Sequence, residues 1–426
     1  MSAVSKVYER LLCDKLHTFM KDKFSKFLCG LRKGFSCEDA LLRFIENCRK
    51  SIDNGRIVGT ILCDLSKAFD TLPHDLIIAK LAAYGMGYDA LKLISSYLHD
   101  RMQRCKVGSS FSDWVDILIG VPQGSVLGPL LFNIFINDLF LFMEDCNVCN
   151  FADDTIIYTS DKCIFNVISK LERDTKNALE WFRDNSLVPN PDKFQIMFLG
   201  TKMKTRLCLE INGRKSISTT EVTLLGIKID WKLQFNRHVE HLCINARKKV
   251  GALMRLRNKL DIDQKLILYN SFIKSQFGYC PNIWLFHGKV TNKLINRIQK
   301  RALRAVYNDF DSSFDDLLQK GDHQTLHQIN LKQLIVKVFA CVNKQSPEIL
   351  HDIFTGDYSH HDLRINNRLK LPMTKTLTYG VHSFAYRGSA TWNALPDSFK
   401  DCTSISVLKT KLKNLKLIKC SCKICS

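Results

Sequence analysis

Apolar and polar positions change rhythm along this chain, and the changes divide it. Residues 1 to about 56 carry apolar positions at helical spacing, with Ala40-Leu41-Leu42-Arg43-Phe44-Ile45 as one amphipathic series. Ile57-Val58-Gly59-Thr60-Ile61-Leu62-Cys63 is a near-continuous apolar run, the pattern of a central strand covered on both faces. Val148-Cys149-Asn150-Phe151 and the β-branched, aromatic Thr155-Ile156-Ile157-Tyr158-Thr159 read as two further strands joined by a tight turn. The most apolar segment, Val126 to Met143, is broken by Asn133, Asn137 and Asp138, so it reads as a buried helix after a loop and not as a membrane span. Its start falls near Pro129, a residue tolerated in a first helical turn. From 57 to about 230 strands and helices alternate, which predicts an α+β unit with an antiparallel sheet. From about 231 to 320 the pattern turns helical, with Leu266, Leu268, Tyr269, Phe272 and Ile273 as apolar positions. Residues 321 to 426 hold the loop-like Tyr358-Ser359-His360-His361-Asp362, a mixed stretch and a Lys-rich tail. No internal repeat and no long disordered tract is visible.

Charge adds a partner class. The 426 residues contain 62 Lys+Arg against 42 Asp+Glu, a formal net charge of +20. The excess is concentrated: residues 201–310 hold 22 Lys/Arg and 7 Asp/Glu, which is +15 of the +20. Within that region, Ala246-Arg247-Lys248-Lys249-Val250-Gly251-Ala252-Leu253-Met254-Arg255-Leu256-Arg257 interleaves apolar and basic positions at helical spacing. It fits a helix packed by one face and touching phosphates with the other, and it equally fits a solvated basic face. Seventeen cysteines, an odd number scattered among core-like runs, argue for reduced thiols in a cytosolic or nuclear protein. Met1-Ser2-Ala3-Val4-Ser5-Lys6 runs into a polar, basic, helix-like segment and does not read as a cleavable signal peptide.

The sharpest chemical signal is Phe151-Ala152-Asp153-Asp154 between two strands. Two adjacent carboxylates buried at a hairpin turn repel one another unless a cation neutralises them. Asp64 ends the 57–63 run, where the backbone leaves the core and where functional ligands sit on sheet scaffolds. Asp70 and Asp75 lie beyond the strand and read as turn or cap residues. Three hard oxygen ligands on rigid elements suit Mg²⁺ or Mn²⁺. Two such ions roughly 3.5–4 Å apart can hold the attacking and leaving oxygens of an in-line phosphoryl transfer.

Asp64-Leu65-Ser66-Lys67-Ala68-Phe69-Asp70, Gly120-Val121-Pro122-Gln123-Gly124-Ser125-Val126-Leu127-Gly128-Pro129 and Phe151-Ala152-Asp153-Asp154 follow one another in that order. Together they resemble the reverse transcriptase of a non-LTR retrotransposon, of the LINE or jockey-like kind. The similarity begins at Ser5-Lys6-Val7-Tyr8-Glu9 and Gly30-Leu31-Arg32-Lys33-Gly34. It continues through Leu187-Val188-Pro189-Asn190-Pro191-Asp192-Lys193 and Leu225-Gly226-Ile227 to Ile298–Arg304 and Trp392-Asn393-Ala394-Leu395-Pro396.

The resemblance implies a right-hand polymerase: partial fingers (1–56), palm (57–230), a basic helical thumb (231–320) and a carboxy-terminal region (321–426). It implies RNA-directed DNA synthesis, in which Asp64, Asp153 and Asp154 hold two Mg²⁺ (or Mn²⁺) and a primer 3′-hydroxyl attacks a dNTP. Lys193 matches the lysine that closes the fourth palm motif, where a general acid serves the leaving pyrophosphate. Phe69 matches the aromatic gate against a ribose 2′-hydroxyl. Gln123 and Gly124, with Asn133 behind them, become substrate-binding candidates. Arg32, the primer-grip pair Leu225 and Gly226, and the basic run Arg247, Lys248 and Lys249 become nucleic-acid contacts. The partners implied are an RNA template, a DNA primer and dNTPs, with no membrane and no obligate protein partner.

Two further expectations concern the chain ends. The opening at the segment like "SKVYE" places the family's preceding fingers strand and endonuclease upstream, so the chain reads as a 5′-truncated copy or a frame begun at an internal Met. Leu31 also stands where the family usually has Phe. Cys420, Cys422 and Cys425 supply three ligands at odd spacing where structural zinc needs four; His351, His360, His361 or Cys402 could complete the set, but a reduced, flexible tail is the preferred reading. The alternative for the whole chain is a non-catalytic nucleic-acid-binding relic of such an element.

Overall fold

The computed structural model describes residues 3–201, 207–286, 288–354 and 368–415. The Cys420/Cys422/Cys425 cluster and His360 and His361 lie outside them. The chain divides into two compact units, one of residues 1–40 and 56–220, the other of 41–55 and 221–426. Among the described residues no helix is long and apolar enough to cross a membrane, and none of the cysteines is in a disulfide.

In the first unit, helix α1 (Ala3–Met20) precedes a looped segment and the start of α2 (Cys37–Asp53). Strand β1 (Ile57–Cys63) is the expected apolar run, and all but its first residue are buried. Helices α3 (His74–Ala83), α4 (Tyr88–Leu98) and α5 (Gly128–Ile136) follow. Strands β2 (Asn147–Phe151) and β3 (Asp154–Asp161), helix α6 (Ile164–Asp184) and strand β4 (Gln195–Leu199) complete the core. The sheet is antiparallel throughout, in the order β4-β1-β3-β2. Both faces of β1 are covered, since Val58 to Cys63 are buried without alternation, so an unbroken apolar run is what the strand requires.

Gly59 lies where α6 meets the sheet. A Cβ there would stand 2.5 Å from Leu171 and 2.6 Å from Val167 of α6, so only glycine admits the helix at that distance. The rest of α6 follows the amphipathic rule, burying Ala178, Trp181 and Phe182; its one fully buried charge, Asp174, accepts the N–H groups of Glu144, Asp145 and Cys146. Helix α5 is apolar nearly all round, with Leu130, Leu131, Phe132, Ile134, Phe135 and Ile136 in the same core as Ile61 and Ile157. The α+β reading holds.

The second unit begins with a hairpin, Glu221–Leu224 against Ile227–Asp230, closed by Leu225-Gly226. Both turn residues have positive φ, 46° and 77°, as a two-residue turn matched to strand twist demands. Then come α7 (Asn236–Leu256), α8 (Lys289–Tyr307), α9 (Leu326–Val342) and α10 (Phe384–Asn393). Buried aromatic side chains such as Tyr269, Phe277, Trp284, Phe339 and Trp392 fill this unit. Of the five apolar positions expected between α7 and α8, Tyr269 and Ile273 are buried, but Phe272 is exposed. There the backbone widens into a π-type turn over Tyr269–Ile273, which shifts side chains off the α-helical face on which the expectation rested.

Residues 41–55, grouped with the amino-terminal segment by sequence, belong to the second unit. The cause is polar. Glu46 of α2 accepts N–H bonds from Phe384 (2.6 Å) and Ala385 (3.1 Å), and Asp53 accepts those of Lys375 and Thr376. Burial pushes the Glu46 carboxyl up, while Arg49 and the two N–H groups pull it back.

Candidate active site

The turn between β2 and β3 consists of Ala152 and Asp153, with Phe151 and Asp154 as the last paired residues. Ala152 has φ 57°, a conformation in which a non-glycine residue is uncommon and must be held by its surroundings. Gly30 supplies part of that hold: a Cβ on it would stand 2.0 Å from the Ala152 nitrogen, so the 28–30 segment lies directly against the turn. Cys29 N–H donates to the Asn150 carbonyl and Asn150 N–H to the Phe27 carbonyl, which ties this segment to β2. The Asn150 amide then donates to the Ala152 carbonyl (2.8 Å) and to Thr155 Oγ1 (2.9 Å), bracing the turn from within.

Asp153 and Asp154 are exposed, a correction to the expectation of a buried pair. They stand at the end of the hairpin, past the last layer of core side chains. Among the described residues neither carboxylate has an ion-pair or hydrogen-bond partner. Partial desolvation, then the charges of Asp153 and Asp64, raise the Asp154 carboxyl above its ordinary value. The three acids therefore share one field.

Asp64 follows β1 and is half-buried. Its carbonyl accepts the Asn190 N–H at 3.0 Å, and the next two residues, Leu65 and Ser66, pair with Pro189 and Val188. This short ladder delivers Lys193, whose Nζ lies 3.4 Å from Asp64 Oδ2. As the side chains stand, no three acidic, His or Cys groups among the described residues form a closed metal-holding cluster. The donor set nonetheless fits a hard divalent cation: three carboxylates, two of them unpartnered, with open solvent before them.

The stretch from Phe69 to Leu72 is pinned to the middle motif. Gly120 N–H donates to the Leu72 carbonyl (2.7 Å) and Val121 N–H to the Phe69 carbonyl (2.9 Å). A Cβ on Gly120, at φ 85°, would stand 2.7 Å from the Asp70 carbonyl oxygen. Phe69 stacks on Phe132 of α5 with centroids 4.5 Å apart. Gln123 is exposed, and its amide donates to Asp70 at 3.0 Å. Gly124, at φ 77°, has nothing within 4 Å of a would-be Cβ, so its backbone faces open space.

Three expected site residues stand elsewhere or are occupied. Asn133 is fully buried, and its amide donates to the Gly30 carbonyl at 2.8 Å. It positions the segment against the Ala152 turn and presents no open surface, because α5 is buried on nearly every side. Arg32 donates to the Ser25 and Leu28 carbonyls, both at 3.0 Å, and lies over the Phe24 and Phe35 rings. Its guanidinium organises its own loop. In the second unit, the Leu225 carbonyl accepts the Tyr279 hydroxyl at 2.8 Å, while Gly226 is exposed beside that ring. Arg247, Lys248 and Lys249 are exposed on α7, opposite the buried Val239, Cys243, Ala246, Val250 and Leu253.

Sequence reasoning missed Glu9. It is buried at 1% exposure, and its Oε2 accepts the N–H groups of Val126 (2.6 Å) and Leu127 (3.4 Å). Leu127, at the start of α5, makes no side-chain cap, and Ser125 Oγ accepts only the Gly128 N–H, so a carboxylate from α1 satisfies the donors before it and complements the helix dipole. The Ser5-Lys6-Val7-Tyr8-Glu9 motif marked the residue, but no spacing could reveal a partner more than a hundred positions away.

An antiparallel sheet with one acid at the end of its central strand and two at the adjacent hairpin turn defines the palm of a nucleotide polymerase. The family model for reverse transcriptase (RNA-dependent DNA polymerase) matches residues 1–229, and the chain belongs to that family. It is 27% identical over 325 residues to the probable RNA-directed DNA polymerase from transposon BS of Drosophila melanogaster, covering 72% of this chain and 35% of that protein. It is 26% identical over 319 residues to the RNA-directed DNA polymerase from mobile element jockey of the same species, with the same two coverages. The chain thus spans about a third of the length of these relatives. Among solved structures, apo telomerase from Candida tropicalis aligns over 97% of this chain and 60% of its own, at 13% identity and a TM-score of 0.42.

Proposed function

We propose that the chain is the RNA-directed DNA polymerase of a non-LTR retroelement, with a primer 3′-hydroxyl as nucleophile and a dNTP α-phosphate as electrophile. The observation that carries this reading is the placing of Asp64 at the end of β1 beside the β2–β3 turn that bears Asp153 and Asp154, the latter two with no cationic partner among the described residues. Bound divalent ions, Mg²⁺ or Mn²⁺ and two in number, supply charge neutralisation and activation of the attacking hydroxyl. Asp64, Asp153 and Asp154 hold them.

The other roles belong to the chain's own side chains. Lys193 Nζ, already 3.4 Å from Asp64, carries a proton to the departing pyrophosphate and stabilises its charge. Phe69, fixed by its stack on Phe132, bounds the sugar pocket and excludes a 2′-hydroxyl. Gln123 and the open backbone of Gly124 meet the templating base pair. Asn133 and Glu9 position this site without touching the substrate. The Leu225-Gly226 turn meets the primer backbone, and α7 meets phosphates. In this reading residues 1–56 contribute to the fingers, 57–230 form the palm, 231–320 the thumb and 321–426 a carboxy-terminal region.

Asp153→Asn tests the assignment. Divalent-dependent primer extension by the purified chain should fall by at least two orders of magnitude, with primer–template affinity nearly unchanged, because Asn keeps shape and removes charge. Extension at the wild-type rate would overturn the site. A wild-type chain that binds primer–template but never extends it with Mg²⁺ or Mn²⁺ would instead support the non-catalytic, nucleic-acid-binding reading.

A further inference from the structure

In the second unit, three guanidinium groups converge on one cleft. Arg247 of α7 and Arg297 and Arg301 of α8 line a cavity of about 160 Å³ whose apolar lining is Val250, Leu294 and Ile298. No carboxylate lines it. Helix α8 carries Lys289, Lys293, Arg297, Lys300, Arg301 and Arg304 and no acidic residue at all. Arg297 and Arg301 are four apart, so they share one helix face and repel. Among the described residues none of the three guanidiniums has an ion-pair or hydrogen-bond partner. Like charges gathered over an apolar floor, with their donors unspent, are an arrangement that an anion completes.

We infer that this cleft holds one phosphodiester of a bound nucleic-acid strand, clamped by Arg247, Arg297 and Arg301. A cleft of about 160 Å³ leaves room for a phosphate group between the three side chains. A strand is favoured over a free phosphate because the basic surface does not stop at the cleft. Lysines continue along the 19 residues of α8, about 28 Å at 1.5 Å per residue, a length that serves successive phosphates. Lys248 and Lys249, adjacent in sequence to Arg247, do not line the cleft. The inference rests on the polymerase reading, since that reading provides the strand.

The test is Arg297→Gln with Arg301→Gln in the full chain, with salt titration of binding to a labelled RNA–DNA duplex. The log–log salt slope should fall by about 0.7–0.9, the share of one phosphate, and affinity should fall equally for unrelated sequences. Lys289→Gln with Lys293→Gln removes the same charge outside the cleft and should change the slope less. Equal changes in the two pairs would overturn the clamp in favour of a diffuse basic face. Inorganic tripolyphosphate is the second probe: if its binding is lost in the Gln pair while the duplex slope is unchanged, the cleft serves a free polyphosphate and the inference fails. Should the Gln pair unfold, Arg297→Lys with Arg301→Lys keeps charge and loses the planar fork, so slope is retained and affinity drops. Primer extension separates the two proposals. A chain that extends primers but shows no change of slope loses only the clamp, and one that never extends but shows the change loses only the polymerase.

Discussion

At the scale of single residues the site is an electrostatic object before it is a geometric one. Asp154 sits above its ordinary value of 3.8 because of partial desolvation and the neighbouring charges of Asp153 and Asp64. The sign follows directly. A carboxyl that holds its proton more tightly folded than unfolded makes the fold bind more protons between the two values, so stability falls as pH rises through that window. Asp154→Asn removes this cost, so its Tm should match wild type in acid and equal or exceed it at neutral pH. A Tm difference independent of pH would sink the assignment. Mn²⁺ should raise the wild-type Tm, because a cation that binds only the folded carboxylates stabilises by mass action, and the rise should shrink in Asp154→Asn. Phe69 is a second case. Its stack on Phe132 is worth about 0.5–1.5 kcal/mol beyond burial, and Phe69→Val gives that up while opening the sugar pocket. The ratio of kcat/KM for rNTP to that for dNTP should rise by roughly tenfold or more, together with a small loss of stability. An unchanged ratio would return Phe69 to the core.

At the scale of elements, each motif works because another element holds it. The Ala152-Asp153 turn leans on Gly30, which is held by Asn133, which belongs to the buried α5. The start of α5 is in turn held by Glu9 of α1. Glu9→Ala would leave the Val126 and Leu127 N–H groups short of an acceptor, at a cost of about 1–3 kcal/mol for each buried donor left unpaired. Urea unfolding should show that loss. Glu9→Gln keeps an acceptor and should recover most of it. Because the same loop carries Gln123 and Gly124, the KM for dNTP in Glu9→Ala should rise more than kcat falls, and Glu9→Gln should largely restore it. A variant with lower stability and an unchanged KM would make Glu9 a structural cap only.

At the scale of the whole molecule, the units are not continuous in sequence. Residues 41–55 leave the amino-terminal region to join 221–426, where Asp53 accepts the Lys375 and Thr376 N–H groups and the Thr376 hydroxyl. Gly380 also lies against Asp53: a Cβ there would stand 2.6 Å from its carboxylate. Asp53→Ala should therefore loosen residues 374–385, far away in sequence, and hydrogen exchange should read this as faster exchange at Thr376. Exchange that quickens only near residue 53 would show that the buried carboxylate does not organise the distant segment.

Three of the four strands of the main sheet, their antiparallel pairing and the placing of Asp64, Asp153 and Asp154 at strand ends were legible in the sequence, because a covered strand needs an unbroken apolar run and a two-residue turn fixes register locally; β4 was not, since Gln195–Leu199 is a short run with no turn signal tying it to β1. The amphipathic face of α7 was legible for the same reason: helical periodicity is a local property. What only the tertiary structure decided were facts between distant positions. Asn133 turned out to be a buried strut, Arg32 a loop organiser and Glu9 a cap. Asp153 and Asp154 proved exposed, Phe272 turned outward, and Arg247 found its companions on α8 rather than in Lys248 and Lys249. A side chain's role depends on which backbone groups and charges packing brings to it, and neither periodicity nor motif spacing records what stands across the fold.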